Sequence, residues 1–183
     1  MPQGAQALSA LLPPVLQVDL AVVLAALPSP SHQPLGYTRL ILGGDEIAVP
    51  GRIYNPPLIA SRGLSETQKR IVDCIYTRHH DGRVRELSVL PLIDKPKSWM
   101  APFIVMLLGE YVVEIALTIA AGLERLGSAA TREVFAPLTA ENPRFMQLTE
   151  QRAISYWNCY YRGDYPVRST YPAIATLRLL QEG

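Results

Sequence analysis

Ser65-Glu-Thr-Gln-Lys-Arg-Ile-Val-Asp-Cys-Ile-Tyr76, followed by Thr77-Arg-His-His-Asp-Gly-Arg-Val-Arg-Glu-Leu-Ser-Val-Leu90, decides the fold. The first four residues spell a capping box, in which the Ser65 hydroxyl accepts an amide hydrogen and Gln68 reaches back to the start of the helix. Ile71, Val72, Ile75 and Tyr76 then recur at helical spacing and form one apolar stripe. Asp81 is placed to cap a second helix that carries Val84, Leu87 and Leu90, with Pro91 expected to end it. Two helices joined by a turn of a few residues lie antiparallel, so the stretch reads as a helical hairpin.

The signals downstream are also helical. Ser98 caps a third helix that tolerates Pro102 in its first turn, and Gly109 breaks or kinks an apolar run that continues through Tyr111–Leu126 to Gly127. Asn142-Pro143 is a cap followed by proline at the first helical position, and it opens a helix to about Tyr161, closed by Gly163. Thr170-Tyr-Pro172 opens a last helix to about Leu180. Upstream, Tyr37–Leu42 and Asp45–Val49 flank Gly43-Gly44, a pair that supplies the positive φ angles of a two-residue hairpin turn. Before that, Pro14 starts and Pro28-Ser-Pro30 ends an apolar helix over Val15–Leu27. A helix with no polar face has to be buried, in the core or against another subunit. The expectation is a mainly α single domain over residues 1–183. It has an apolar segment at 1–36, a small β-hairpin at 37–55 and a helical body of stacked hairpins at 65–183.

Composition narrows the function. The 17 Lys+Arg and 16 Asp+Glu leave a net charge of +1, which gives no general attraction to nucleic acid or an acidic membrane. Two cysteines, Cys74 and Cys159, are too few for a disulfide scaffold and suit a reducing compartment. Residues 1–36 hold one charged side chain, Asp19, and lack the basic start of a secretory signal, so the expected location is cytoplasmic. Ala101–Leu123 is long enough to cross a bilayer, but Glu110 and Glu114 near its middle argue against membrane association.

Residues 65–93 resemble a HEAT repeat, one of the helical hairpins that stack into α-solenoids. Arg78-His-His80 ends the first helix, and Asp81-Gly-Arg-Val84-Arg85 opens the second, as in that family. The resemblance extends loosely to residue 126. It departs at Pro91, at Ser88 where the family has a small alanine, and in the absence of a fixed period between helix starts near 65, 98 and 142. It implies that Asp81 caps, Val84 packs inward, Arg85 ties neighbouring repeats together, and the whole binds protein.

Candidate chemistry gathers at a few positions. His79, His80 and Asp81 offer imidazoles beside a carboxylate, a set able to bind zinc or act as general base. Adjacent residues on a helix point about 100° apart, so the competing reading is a polar helix end. Glu110 and Glu114, four apart, share a face of any common helix and could act as a carboxylate pair, yet neither has the histidine three residues on that a di-iron bundle uses. Trp157, Tyr160, Tyr161, Tyr165 and Tyr171 lie among Arg152, Arg162 and Arg168. There Ala153, Trp157 and Tyr160 form a stripe expected to face the core. Gly43-Gly-Asp-Glu46 and Arg162-Gly-Asp164 match known signatures only in letters, and phosphate loops, dinucleotide fingerprints and nucleophile elbows are absent.

The reading favoured on these grounds is a non-catalytic protein-interaction module that needs no cofactor and no metal. Its partner is a protein or a second copy held through the apolar N-terminal segment, with a binding face around Arg78, His79, His80, Asp81, Arg83 and Trp99. The alternative is a metal-dependent or hydrolase-like enzyme using His79, His80, Asp81, Glu110 and Glu114.

Overall fold

The computed structural model describes residues 8–57 and 63–182. Among them are eight α-helices and one two-stranded antiparallel sheet, so the chain is mainly helical. It divides into two compact units, residues 1–92 and 93–183.

The first unit opens with a turn at Pro14–Leu16 and helix α1, Gln17–Ala26. Strands β1, Tyr37–Leu42, and β2, Asp45–Pro50, pair in the register Leu42↔Asp45 and Leu40↔Ile47. Gly43 and Gly44 make the turn at φ 62° and 85°, the conformation expected of a type I′ hairpin. Alternation places Leu40, Leu42, Ile47 and Val49 on the buried face. Helix α2, Glu66–Tyr76, begins with both halves of the capping box: the Gln68 amide donates to Ser65 Oγ and the Ser65 amide donates to Gln68 Oε1. The Gln68 side chain also donates to Asp19 Oδ1 at 2.8 Å, pinning α1 to the start of α2.

Helix α3, Gly82–Asp94, differs from expectation twice. It runs through Pro91 to Asp94 instead of stopping there. The carbonyl deprived of a donor by Pro91 belongs to Leu87, which is exposed, so water can satisfy it. The buried face is also rotated from the expected stripe. Leu87 and Leu90 face solvent and Val84 is half-buried, while Arg85, Ser88, Val89 and Leu92 point inward.

The second unit contains a turn at Ser98–Met100, then α4 at Ala101–Leu108 and α5 at Val113–Leu126. Gly109 breaks the apolar run into two helices, and every residue of α4 is buried. Next come α6, Ser128–Glu141, α7, Pro143–Tyr156, and α8, Pro172–Glu182. Helix α6 starts immediately after Gly127 with no side-chain cap and carries Pro137 inside it, so local sequence gave it no recognisable start. Helix α7 continues as a π-helical turn over Trp157–Tyr161. That widening turns Tyr160 outward, 69% exposed, although Ala153 is fully buried and Trp157 half-buried on the stripe expected to face the core. None of the helices over the described residues is long and apolar enough to cross a membrane.

Candidate functional site

In the first unit the chemistry-bearing residues sit on the turn between α2 and α3 and on the first turn of α3. Arg78, His79 and Arg85 are buried, and His80, Asp81 and Arg83 are exposed. Residues 53–55 run beside this turn: the Ile53 amide donates to Arg78 O and the His80 amide donates to Ile53 O. Backbone pairing therefore fixes the turn before any side chain contributes.

Each buried polar side chain then ties down backbone. Arg78 donates from Nε to Pro50 O and from Nη2 to Gly51 O. Arg85 donates from Nη1 to the carbonyls of His79 and His80, at 2.9 and 3.0 Å. Asp81 Oδ1 accepts the Arg83 amide at 2.8 Å, the capping role expected of it. The bonds at His79 fix its tautomer. The Asp81 amide donates to Nδ1, so Nδ1 carries no proton and Nε2 donates to Asn55 O at 3.0 Å. Burial lowers the pKa of His79, and the neighbouring His80 pushes it the same way. Both ring nitrogens of a neutral imidazole are thus occupied by backbone, leaving no lone pair for a metal or for a substrate proton.

His80 stacks on Tyr54 with ring centroids 5.3 Å apart, and His32 meets the same tyrosine edge-on at 5.4 Å. All three histidines of the chain consequently lie within one aromatic cluster. Sequence reading missed His32 and Tyr54 because what joins them is the pairing of residue 53 with the turn, a contact across 26 residues that leaves no local pattern.

The remaining candidates belong to the second unit. Trp99 is half-buried in the turn before α4. Glu110 and Glu114 do not share a helix. Glu110 is buried in the turn after α4, and Glu114 is exposed in the first turn of α5, where a carboxylate suits the helix dipole. The expected common face is therefore absent, because Gly109 ends one helix before the second glutamate's helix starts. Among the described residues no group of three His, Cys, Asp or Glu side chains is placed to hold a metal ion.

The aromatic segment at the end of α7 forms a ladder. Tyr161 stacks on the buried Tyr171 at 5.3 Å, Tyr165 meets Tyr171 edge-on at 5.5 Å, and Trp157 Nε1 donates to Tyr165 O. The Arg162 guanidinium lies 5.4 Å from the centre of the Trp157 ring. These contacts close the chain between α7 and α8 upon itself, with Arg162 spent on Trp157 and Asn158.

The most exposed apolar feature is on α1 and the turn before it. Val15 is 86% exposed, Val18 80% and Val22 44%, while Leu20 and Val23 are buried. The spacing of three and four residues puts the three valines on one face. No protein-family model, curated protein or solved structure matches this chain.

Proposed function

We propose that this chain is a non-catalytic protein-interaction module that pairs with a second copy of itself through the outer face of α1. The observation that supports this reading is the exposed row Val15, Val18 and Val22. The one charged residue of that helix, Asp19, accepts a hydrogen bond from the Gln68 side chain of α2, which ties its carboxylate toward α2. Such a face is its own complement, since two copies related by a two-fold axis bring valine against valine.

The magnitude is modest. Burying six valines across the pair yields about 1.5 kcal/mol each, and association costs roughly 4–15 kcal/mol. The dimer is therefore weak, with Kd of a few tenths of a millimolar at the lower end of that cost. In this reading the α2–α3 pair is a HEAT-like hairpin. Support comes from Asp81 capping α3 and Arg85 lying buried in the first turn of α3, where it ties down its own hairpin.

Sedimentation velocity from about 1 μM to about 1 mM tests the proposal. A monomer–dimer shift is expected for the wild type, and Val18→Lys should remain monomeric with unchanged circular dichroism. A wild type that stays monomeric throughout refutes self-association.

A further inference from the structure

The aromatic ladder at the end of α7 has a side that the fold leaves open to solvent. Tyr111, in the turn between α4 and α5, lies 6.1 Å from Tyr156, ring centre to ring centre. Tyr156 lies 6.3 Å from Tyr160, and Tyr160 lies 6.5 Å from Tyr161. The Tyr161 hydroxyl then donates to Tyr111 O, so the four tyrosines close a circuit between that turn and the end of α7. The circuit is held together, yet Tyr160 is 69% exposed and Tyr111 53%. Aromatic rings fixed in place and left in water are the anchors that protein interfaces use most.

The charge beside these rings is negative. The Tyr161 hydroxyl meets the backbone of Val113, one residue before Glu114, and Asp164 follows three residues after Tyr161. Burial raises the pKa of Tyr161, and the carboxylates of Glu114 and Asp164 push it the same way. Both carboxylates are exposed, and neither has an ion pair among the described residues. Of the arginines nearest in sequence, Arg162 is engaged by Trp157 and Asn158, and Arg152 lies a helical turn before Tyr156.

The segment itself shows which cation suits such rings, because Arg162 holds its guanidinium over the Trp157 ring. A guanidinium is planar and weakly hydrated, stacks on aromatic faces, and meets a carboxylate through two parallel hydrogen bonds, whereas an ammonium acts as a point charge. We propose that the tyrosine face docks a basic segment of a partner protein through an arginine, which lies on Tyr160 and takes its counter-charge from Glu114 and Asp164. This inference rests on reading the chain as an interaction module but uses no part of α1, so Val18→Lys should leave it intact.

The test is an NMR titration of the full chain, isotopically labelled in its tyrosine rings, with the peptide acetyl-Gly-Arg-Gly-Arg-Gly-amide. Its lysine counterpart keeps the charge without the plane, and its citrulline counterpart keeps the plane without the charge. The arginine peptide should shift Tyr111, Tyr156 and Tyr160 saturably, with Kd on the order of 1 mM, as exposed ring and charge contacts allow. The lysine peptide should bind about threefold more weakly, and the citrulline peptide should not bind measurably. Tyr160→Ala should weaken the arginine peptide about two- to fivefold, and Glu114→Gln/Asp164→Asn about tenfold. All three substitutions fall on exposed side chains, so neither variant should lose more than about 3 °C in Tm. Absence of saturable shifts in folded wild type overturns the proposal. Equal affinity for the lysine peptide, or indifference to either variant, overturns it as well, and loss of binding in Val18→Lys would move the site to α1.

Discussion

His79 shows how a residue with catalytic potential is converted into a structural one. Its Nδ1 accepts from the Asp81 amide and its Nε2 donates to Asn55 O, which is possible only while the ring is neutral. Burial holds its pKa below 6.5 in the folded chain. As pH falls through 6.5 the unfolded chain takes up a proton that the folded chain refuses, so the stability His79 contributes is complete above 6.5 and declines below it. Asp73 works in the opposite sense, because burial pushes its carboxyl up to about 6 against the pull of Arg70. Comparison with a variant at position 79 cancels that contribution. His79→Gln should lose about 1–3 kcal/mol at pH 8 by leaving the Asp81 amide without its acceptor. The gap in Tm between the two proteins should narrow as pH is lowered from 7 to 5. A gap that stays constant across that range would show that His79 is not held neutral.

At the level of elements, Gly122 of α5 lies directly against Ile93 in the last turn of α3. A Cβ at position 122 would lie 2.3 Å from Ile93 Cγ1 and 3.2 Å from its Cβ. Rotating the isoleucine side chain relieves the first clash and leaves the second, so backbone has to move. Overpacking of this kind costs about 1–3 kcal/mol, and alanine returns only ~1 kcal/mol of helix propensity. Gly122→Ala should therefore lower Tm by a few degrees. The double variant Gly122→Ala/Ile93→Val should lose less than the two single variants predict by addition. A higher Tm for Gly122→Ala contradicts the assignment.

Nothing in the local sequence announces that contact, and the same distinction governs what was legible elsewhere. The Ser65 capping box, the Gly43-Gly44 turn and the Asn142-Pro143 start are each written within about four residues; the first two are present as expected, and Pro143 does open its helix, although the Asn142 side chain donates back to Leu138 O instead of capping it. The inward face of α3 was not legible, because Arg85 is buried to bond two carbonyls of the preceding turn, and a hydrophobic pattern counts arginine as solvent-facing. Helix α6 lacked a cap to mark it. Of the candidate residues, Asp81 could be read as a cap from its position. The burial of Arg78 and His79 depends on residues 50–55, which lie more than 20 positions away.

Taken as a whole the molecule carries almost no net charge, +1 from 17 basic and 16 acidic groups, and its most exposed apolar row lies on a helix whose one charge is engaged. Long-range electrostatics therefore neither drive nor oppose the meeting of two copies, and the free energy of pairing has to come from water leaving the valines. This makes the salt response diagnostic. Raising ionic strength from about 0.1 M to about 1 M shortens the screening length from ~10 Å to ~3 Å, which would abolish an association built on complementary charge. For pairing through α1 the Kd from sedimentation should change less than about threefold in sodium chloride, and it should tighten in sulfate, which strengthens apolar burial. Weakening of about tenfold or more in sodium chloride would place the contact on charged surface instead of on the row from Val15 to Val22.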